Sequence, residues 1–147
     1  TAQQRAYAPY SRFPVGAAVL AEDGRVSLGC NVENSSFGLT VCAERNAVAA
    51  AVVAGARPVA VAVVANPADI VPCGACRQVL AEFAPEMPVL LASATAPGYR
   101  QTSLAELLPA AFKFRRHATT RDSHRARLGT PPEEYPKHGQ RYRQVVQ

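Results

Sequence analysis

The stretch Pro58-Val59-Ala60-Val61-Ala62-Val63-Val64-Ala65-Asn66-Pro67 places an unbroken apolar run between two prolines. Small and β-branched residues without a polar interruption suit a central strand buried on both faces. Downstream, Pro72 precedes residues 73–83, which read as a helix, and residues 89–92 form a second short apolar strand. Strand, helix, strand in that order implies a parallel pair. Upstream, residues 15–21 are strand-like, Glu22-Asp23-Gly24 is a turn signal, and residues 25–32 read as the returning strand of a hairpin. A polar loop follows at 34–38. Thr40 is placed to cap an Ala-rich helix over 42–54 that ends at Gly55. Residues 93–101 read as a loop with room for an edge strand. Ser103 starts a last short helix, with Leu104, Leu107 and Leu108 on one face and Pro109 as its stop. The order predicts an α/β fold with a mixed sheet.

The 147 residues suffice for one domain and a tail, and at 48% hydrophobic and 18% charged they can build a core. No apolar run approaches the ~20 residues that span a bilayer, which excludes a helical membrane protein. The net charge of +5 is uneven: residues 1–112 carry net −1 and residues 113–147 net +6. All three histidines, His117, His124 and His138, lie in that basic segment. A metal site elsewhere must therefore use cysteine and carboxylate. The four cysteines are Cys30, Cys42, Cys73 and Cys76, too few and too dispersed for a disulfide scaffold. With no export signal visible, reduced thiols and a cytoplasmic location are expected. The chain starts at Thr1, and its natural N-terminus is read as trimmed.

Two segments carry chemistry: Cys42-Ala43-Glu44-Arg45 and Pro72-Cys73-Gly74-Ala75-Cys76-Arg77-Gln78. Each lies where the chain enters a helix, and free N–H groups there favour thiolates. Three thiolates from two such ends can meet on one Zn²⁺, leaving a fourth position open as a catalytic site requires. Zinc there would bring a water's pKa toward neutrality, and Glu44 could move protons between that water and a substrate. Three thiolates leave the metal net −1, so Arg45 and Arg77 are expected to donate hydrogen bonds to sulfur, with Gln78 orienting one of them. Cys73-Gly-Ala-Cys76 alone could equally be a redox pair, and Cys30 reads as a small buried hydrophobe. Cys-x-Glu followed some thirty residues later by Pro-Cys-x-x-Cys is much more specific. It is the signature of zinc deaminases with a non-ligating glutamate.

At this point the chain resembles the small homotetrameric zinc-dependent cytidine deaminase family, over a match from about Tyr7 to Phe112. The resemblance rests on Ala8-Pro9-Tyr10-Ser11, Phe13-Pro14-Val15-Gly16-Ala17-Ala18, Gly29-Cys30-Asn31-Val32-Glu33-Asn34, both segments above, and Glu106-Leu107-Leu108-Pro109. It implies a three-layer α/β/α sandwich around a five-stranded mixed sheet. It implies one Zn²⁺ per subunit on Cys42, Cys73 and Cys76, with Glu44 as proton shuttle. Cytidine or deoxycytidine would take up water at C4, Glu44 protonating N3 and then the departing amine, to give the uracil nucleoside and ammonia. Arg45 would hydrogen-bond the thiolates, Phe13 would pack against the base, and backbone at Ala43 would hold its edge. Asn31 and Glu33 would hold the ribose, and Phe112 would be lent to a neighbouring subunit's site. Asn31 and Glu33 alternate along a strand, so both side chains are expected on one face. A carboxylate beside a ribose hydroxyl would repel a phosphate, so a free nucleoside is expected.

Phe37 stands where many relatives carry Tyr, residues 94–98 alter a loop, and the family's first helix is read as clipped before Thr1. Residues 113–147 match nothing in the family and read as a mobile basic extension. Tyr135 and Tyr142 among its arginines keep a nucleic-acid contact as an alternative. Two other functions stand beside deamination of nucleosides: a blasticidin S-type deaminase of a cytosine-bearing antibiotic, and a noncatalytic zinc protein that binds RNA through the tail.

Overall fold

Alternation along the apolar segments decides which side chains meet. In the computed structural model, which describes residues 2–67 and 69–114, the strands are β1 (Gly16–Ala21), β2 (Val26–Cys30), β3 (Pro58–Val64), β4 (Pro88–Ala92) and β5 (Tyr99–Ser103). The helices are α1 (Ala43–Val53), α2 (Gly74–Ala81) and α3 (Leu104–Leu107), with 3-10 turns at Ala2–Arg5 and Phe37–Leu39. The sheet runs β2-β1-β3-β4-β5. β1 lies antiparallel to both β2 and β3, β3 and β4 are parallel, and β5 returns antiparallel to β4. The crossover through α2 therefore joins neighbouring parallel strands, whereas the one through α1 joins β2 to β3 with β1 between them. The loop at 93–101 yields β5 over its last residues. The polypeptide after Phe114 is outside the described residues, so the expected mobile extension is too.

One sheet face presents Ala17, Val19, Ala21, Val61, Val63, Val89 and Leu91 to α1, α2 and α3. From the helices come Ala43, Ala47, Val48, Ala51, Leu80 and Leu104. Burying Leu80 or Leu91 completely stabilises the fold by roughly 1.5–3 kcal/mol each. The opposite face carries Ala60, Ala62 and Leu90, with Leu20 packed against them. There the turn Ala2–Arg5 lies over Gly16, whose missing side chain leaves room for the Gln3 backbone. The sandwich thus has α-helices on one face and, among the described residues, a 3-10 turn on the other.

Helix starts differ from expectation in one detail. Thr40 does not cap α1: Val41 still pairs with Val32 as extended chain, and Thr40 closes the turn Phe37–Leu39. Cys42 is the N-cap, with extended φ −70° and ψ 155° and no side-chain capping bond. Gly55 ends the helix region with φ 69°, and Ser103 with Glu106 forms a capping box on α3.

Gly29 sets the height of α1 over the sheet. A Cβ there would run into the Ala43 carbonyl oxygen and the Ala47 backbone nitrogen. Backbone thus lies directly on backbone, and Asn46 Nδ2 donates to the Cys30 carbonyl at 2.8 Å beside it. Gly29→Ala must push the start of α1 outward and should cost about 2–3 kcal/mol in urea unfolding. Gly38→Ala, with open space around it, should stay within about 0.5 kcal/mol.

Candidate metal centre and active site

The two longer helices, α1 and α2, each begin at a cysteine. Cys42 caps α1 and Cys73 caps α2, each with an extended backbone that leaves its side chain outside the helix. Cys76 lies in the first turn of α2 and is fully buried. The three Sγ atoms lie within 4.8 Å of one another, and Cys42 Sγ is 3.8 Å from Cys73 Sγ. A tetrahedral zinc with bonds of about 2.3 Å needs sulfurs about 3.8 Å apart. The donor set therefore fits zinc, and among the described residues no fourth protein donor joins the three sulfurs. Cys30 is not part of the cluster. It is half-buried rather than buried, and its thiol donates to the Arg5 carbonyl at 3.4 Å.

Crowding three thiols and a carboxyl changes their proton affinities. Cys42 is pulled down to about 5, first by the hydrogen bond from the Cys76 thiol and then by the Arg45 guanidinium. Arg45 Nη2 lies 3.7 Å from Cys42 Sγ and also donates to the Thr40 carbonyl at 3.1 Å. Cys76 moves up, because its proton is shared with Cys42 and because it is buried beside Glu44. Burial raises the Glu44 carboxyl above its ordinary value. Glu44 is the only buried carboxylate among the described residues, at 5% exposure. A fully packed acid two residues from a thiolate has no ion-pair partner among the described salt bridges. It is held ready to exchange a proton.

The remaining expected residues divide. Arg77 does not reach sulfur: its Nε donates to the Pro72 carbonyl at 2.7 Å and its Nη1 to the Leu107 carbonyl at 2.8 Å. Gln78 orients neither arginine and bonds the backbone of Phe112 instead. Asn31 is buried and bridges the Phe13 carbonyl, at 2.9 Å, to the Val15 N–H, at 2.9 Å. Glu33 Oε2 accepts from the N–H groups of Tyr10 and Ser11 at 2.8 and 3.2 Å, and a hydrogen bond with the Ser11 side chain, ahead of these two, holds its carboxyl below the usual range. These two residues thus clamp the loop that carries the half-buried Phe13. Each keeps spare capacity, one N–H on Asn31 and the second oxygen of Glu33. Ala43 is buried at the start of α1, while Phe112 is 71% exposed.

Sequence reasoning passed over Arg12, whose φ of 56° bends the loop just before Phe13. A left-handed arginine is strained, and only the run of polar and Pro residues around it hinted at a tight bend. Phe37 is exposed and meets Tyr10 edge-to-face with ring centroids 5.6 Å apart.

The family model of the cytidine and deoxycytidylate deaminase zinc-binding region matches residues 1–92. A cytidine deaminase of Sporosarcina psychrophila is 53% identical over 114 residues, covering 76% of this chain and 83% of that protein. One from Halalkalibacterium halodurans is 49% identical over 113 residues, covering 76% and 86%. The crystal structure of the cytidine deaminase from Burkholderia pseudomallei superposes with a TM-score of 0.70 at 51% identity, covering 76% of this chain and 91% of that one. That of Mycobacterium tuberculosis does so with 0.65 at 47%, covering 77% and 89%.

Cys73→Ala should abolish stoichiometric zinc binding, read by atomic absorption. In the metal-free protein, thiolate absorbance near 240 nm should persist down to about pH 5. The donors that stabilise the Cys42 thiolate lower its pKa, so Arg45→Met or Cys76→Ala should move that midpoint up toward 9.0.

Proposed function

This chain belongs to the cytidine and deoxycytidylate deaminase zinc-binding family, and on that premise we propose that it hydrolyses free cytidine and deoxycytidine to uridine and deoxyuridine plus ammonia. The observation that carries the reading is the buried Glu44 carboxyl on the helix start that supplies Cys42. A purely structural metal site has no use for a buried acid against its sulfur ligands.

Cys42, Cys73 and Cys76 would hold the zinc, and the bound metal supplies a water acidified toward neutral pH. Glu44 takes the proton of the attacking water, delivers it to ring N3, and then carries the proton of the hydroxyl added at C4 to the leaving 4-amino group, so that ammonia departs as the C4 carbonyl forms. One water is consumed and one ammonia released for each base. A carboxyl with raised proton affinity suits both halves of this transfer, since it must accept and release within one turnover. Arg45 offsets the negative charge of the thiolates and so keeps the centre electrophilic.

Phe13 packs against the base and the backbone at Ala43 holds its edge. Asn31 and Glu33 hold the ribose with the donor and acceptor left over from their loop bonds. Phe112 serves the site of a neighbouring copy, which makes a homotetramer the working form. Its 71% exposure supports a role outside its own core. Residues 1–112 are the catalytic domain. Among the described residues no helix is long and apolar enough to cross a membrane.

Glu44→Gln should lower kcat for cytidine by about 10²–10⁴-fold while zinc content is unchanged. Cytidine monophosphate should be turned over far more slowly than cytidine, as followed by ultraviolet absorbance. Equal rates on the two would remove the role given to Glu33.

A further inference from the structure

The residues that follow Cys76 do not turn back toward the metal centre. Gln78 makes a reciprocal pair with one backbone residue: its Nε2 donates to the Phe112 carbonyl at 2.9 Å, and its Oε1 accepts the Phe112 N–H at 3.1 Å. Arg77 ties the same segment five residues earlier, at the Leu107 carbonyl. Between these tethers the half-buried Leu108 and Ala111 touch the core, but the Phe112 ring is 71% exposed. Apolar burial therefore does little to aim this ring. What remains is the pair of hydrogen bonds, which fixes both polar groups of its peptide backbone and leaves side-chain rotation as the main freedom.

We infer that Gln78 is a positioning residue for the deamination reaction, acting through the backbone of Phe112 to present that ring to a nucleoside. The inference rests on the reading above in which Phe112 touches substrate. The geometry requires glutamine specifically. Asparagine is one methylene short, methionine fills the same volume without a donor or acceptor, and glutamate can accept the N–H but cannot donate to the carbonyl. Because Gln78 lies two residues beyond Cys76, the turn that carries two of the three sulfurs also carries the aromatic's support. Two of the three sulfurs and the tether of the ring thus share the first turns of α2.

The test uses the full zinc-loaded chain with Gln78→Met and Gln78→Glu. Zinc content should match the parent in both. Exchange of the Phe112 amide, read by NMR, should accelerate about fivefold in Gln78→Met and stay slow in Gln78→Glu, which keeps the acceptor. KM for cytidine should rise about fivefold in Gln78→Met with kcat within about twofold, and Gln78→Glu should fall between it and the parent. Faster Phe112 exchange with an unchanged KM would overturn the inference, as would lost zinc with kcat falling at constant KM. If Gln78→Met does not fold, Gln78→Glu decides alone, by an intermediate KM at parental zinc content or by the lack of it. A parent that converts no cytidine removes the functional reading, whereas unchanged Phe112 exchange in Gln78→Met removes the tether, so the two failures are distinguishable.

Discussion

Three thiols and a carboxyl gathered within a few ångströms repel one another as soon as they ionise, and much of the local structure answers that repulsion. The Cys76 proton is shared with Cys42, the Arg45 guanidinium sits against the same sulfur, and both helix starts turn their free N–H ends toward the cluster. Burial, rather than a neighbouring charge, is the main cause that raises the proton affinity of Glu44. These arrangements need α1 to begin at one height and α2 at another. The first is set by Gly29, where helix backbone rests on strand backbone, and α2 lies on the crossover from β3 to β4. Fold and chemistry are joined at those two points.

The cluster was readable in the sequence because its members are local. Cys42 with Glu44, and Cys73 with Cys76, are separated by two and three residues at recognisable helix starts. Arg45 was readable for the same reason, since a residue three positions along a helix returns to the face of the first. Arg77 and Gln78 were misread by adjacency. One and two positions after Cys76, a helix has rotated by about 100° and 200°, so these side chains leave the sulfur for the C-terminal segment. Their partners, Leu107 and Phe112, are about thirty residues away, beyond any local pattern.

The sheet shows the same division. Apolar runs gave β1 to β4 within a residue or two, but neither the polar edge strand β5 nor the order. The reading that a helical connection joins parallel strands holds for β3 and β4, which pair directly, and for β2 and β3, which run parallel with β1 between them. The sequence could not indicate that Asn31 and Glu33 clamp residues 10–15. Each bond spans about twenty residues of chain, and only the folded hairpin brings the loop across.

The interior of this molecule is made of small pieces. Among the described residues none that is buried is aromatic, and alanines at positions 17, 43, 47, 51, 60 and 62 line both faces of the sheet. Alanine surrenders no rotamer freedom on folding and brings little apolar surface with it. Unfolding such an interior exposes less hydrocarbon per residue than opening one filled with leucine and phenylalanine. The heat capacity gained on melting is correspondingly small. The stability of this chain therefore varies along a shallow curve, declining gently on either side of its optimum as the temperature moves.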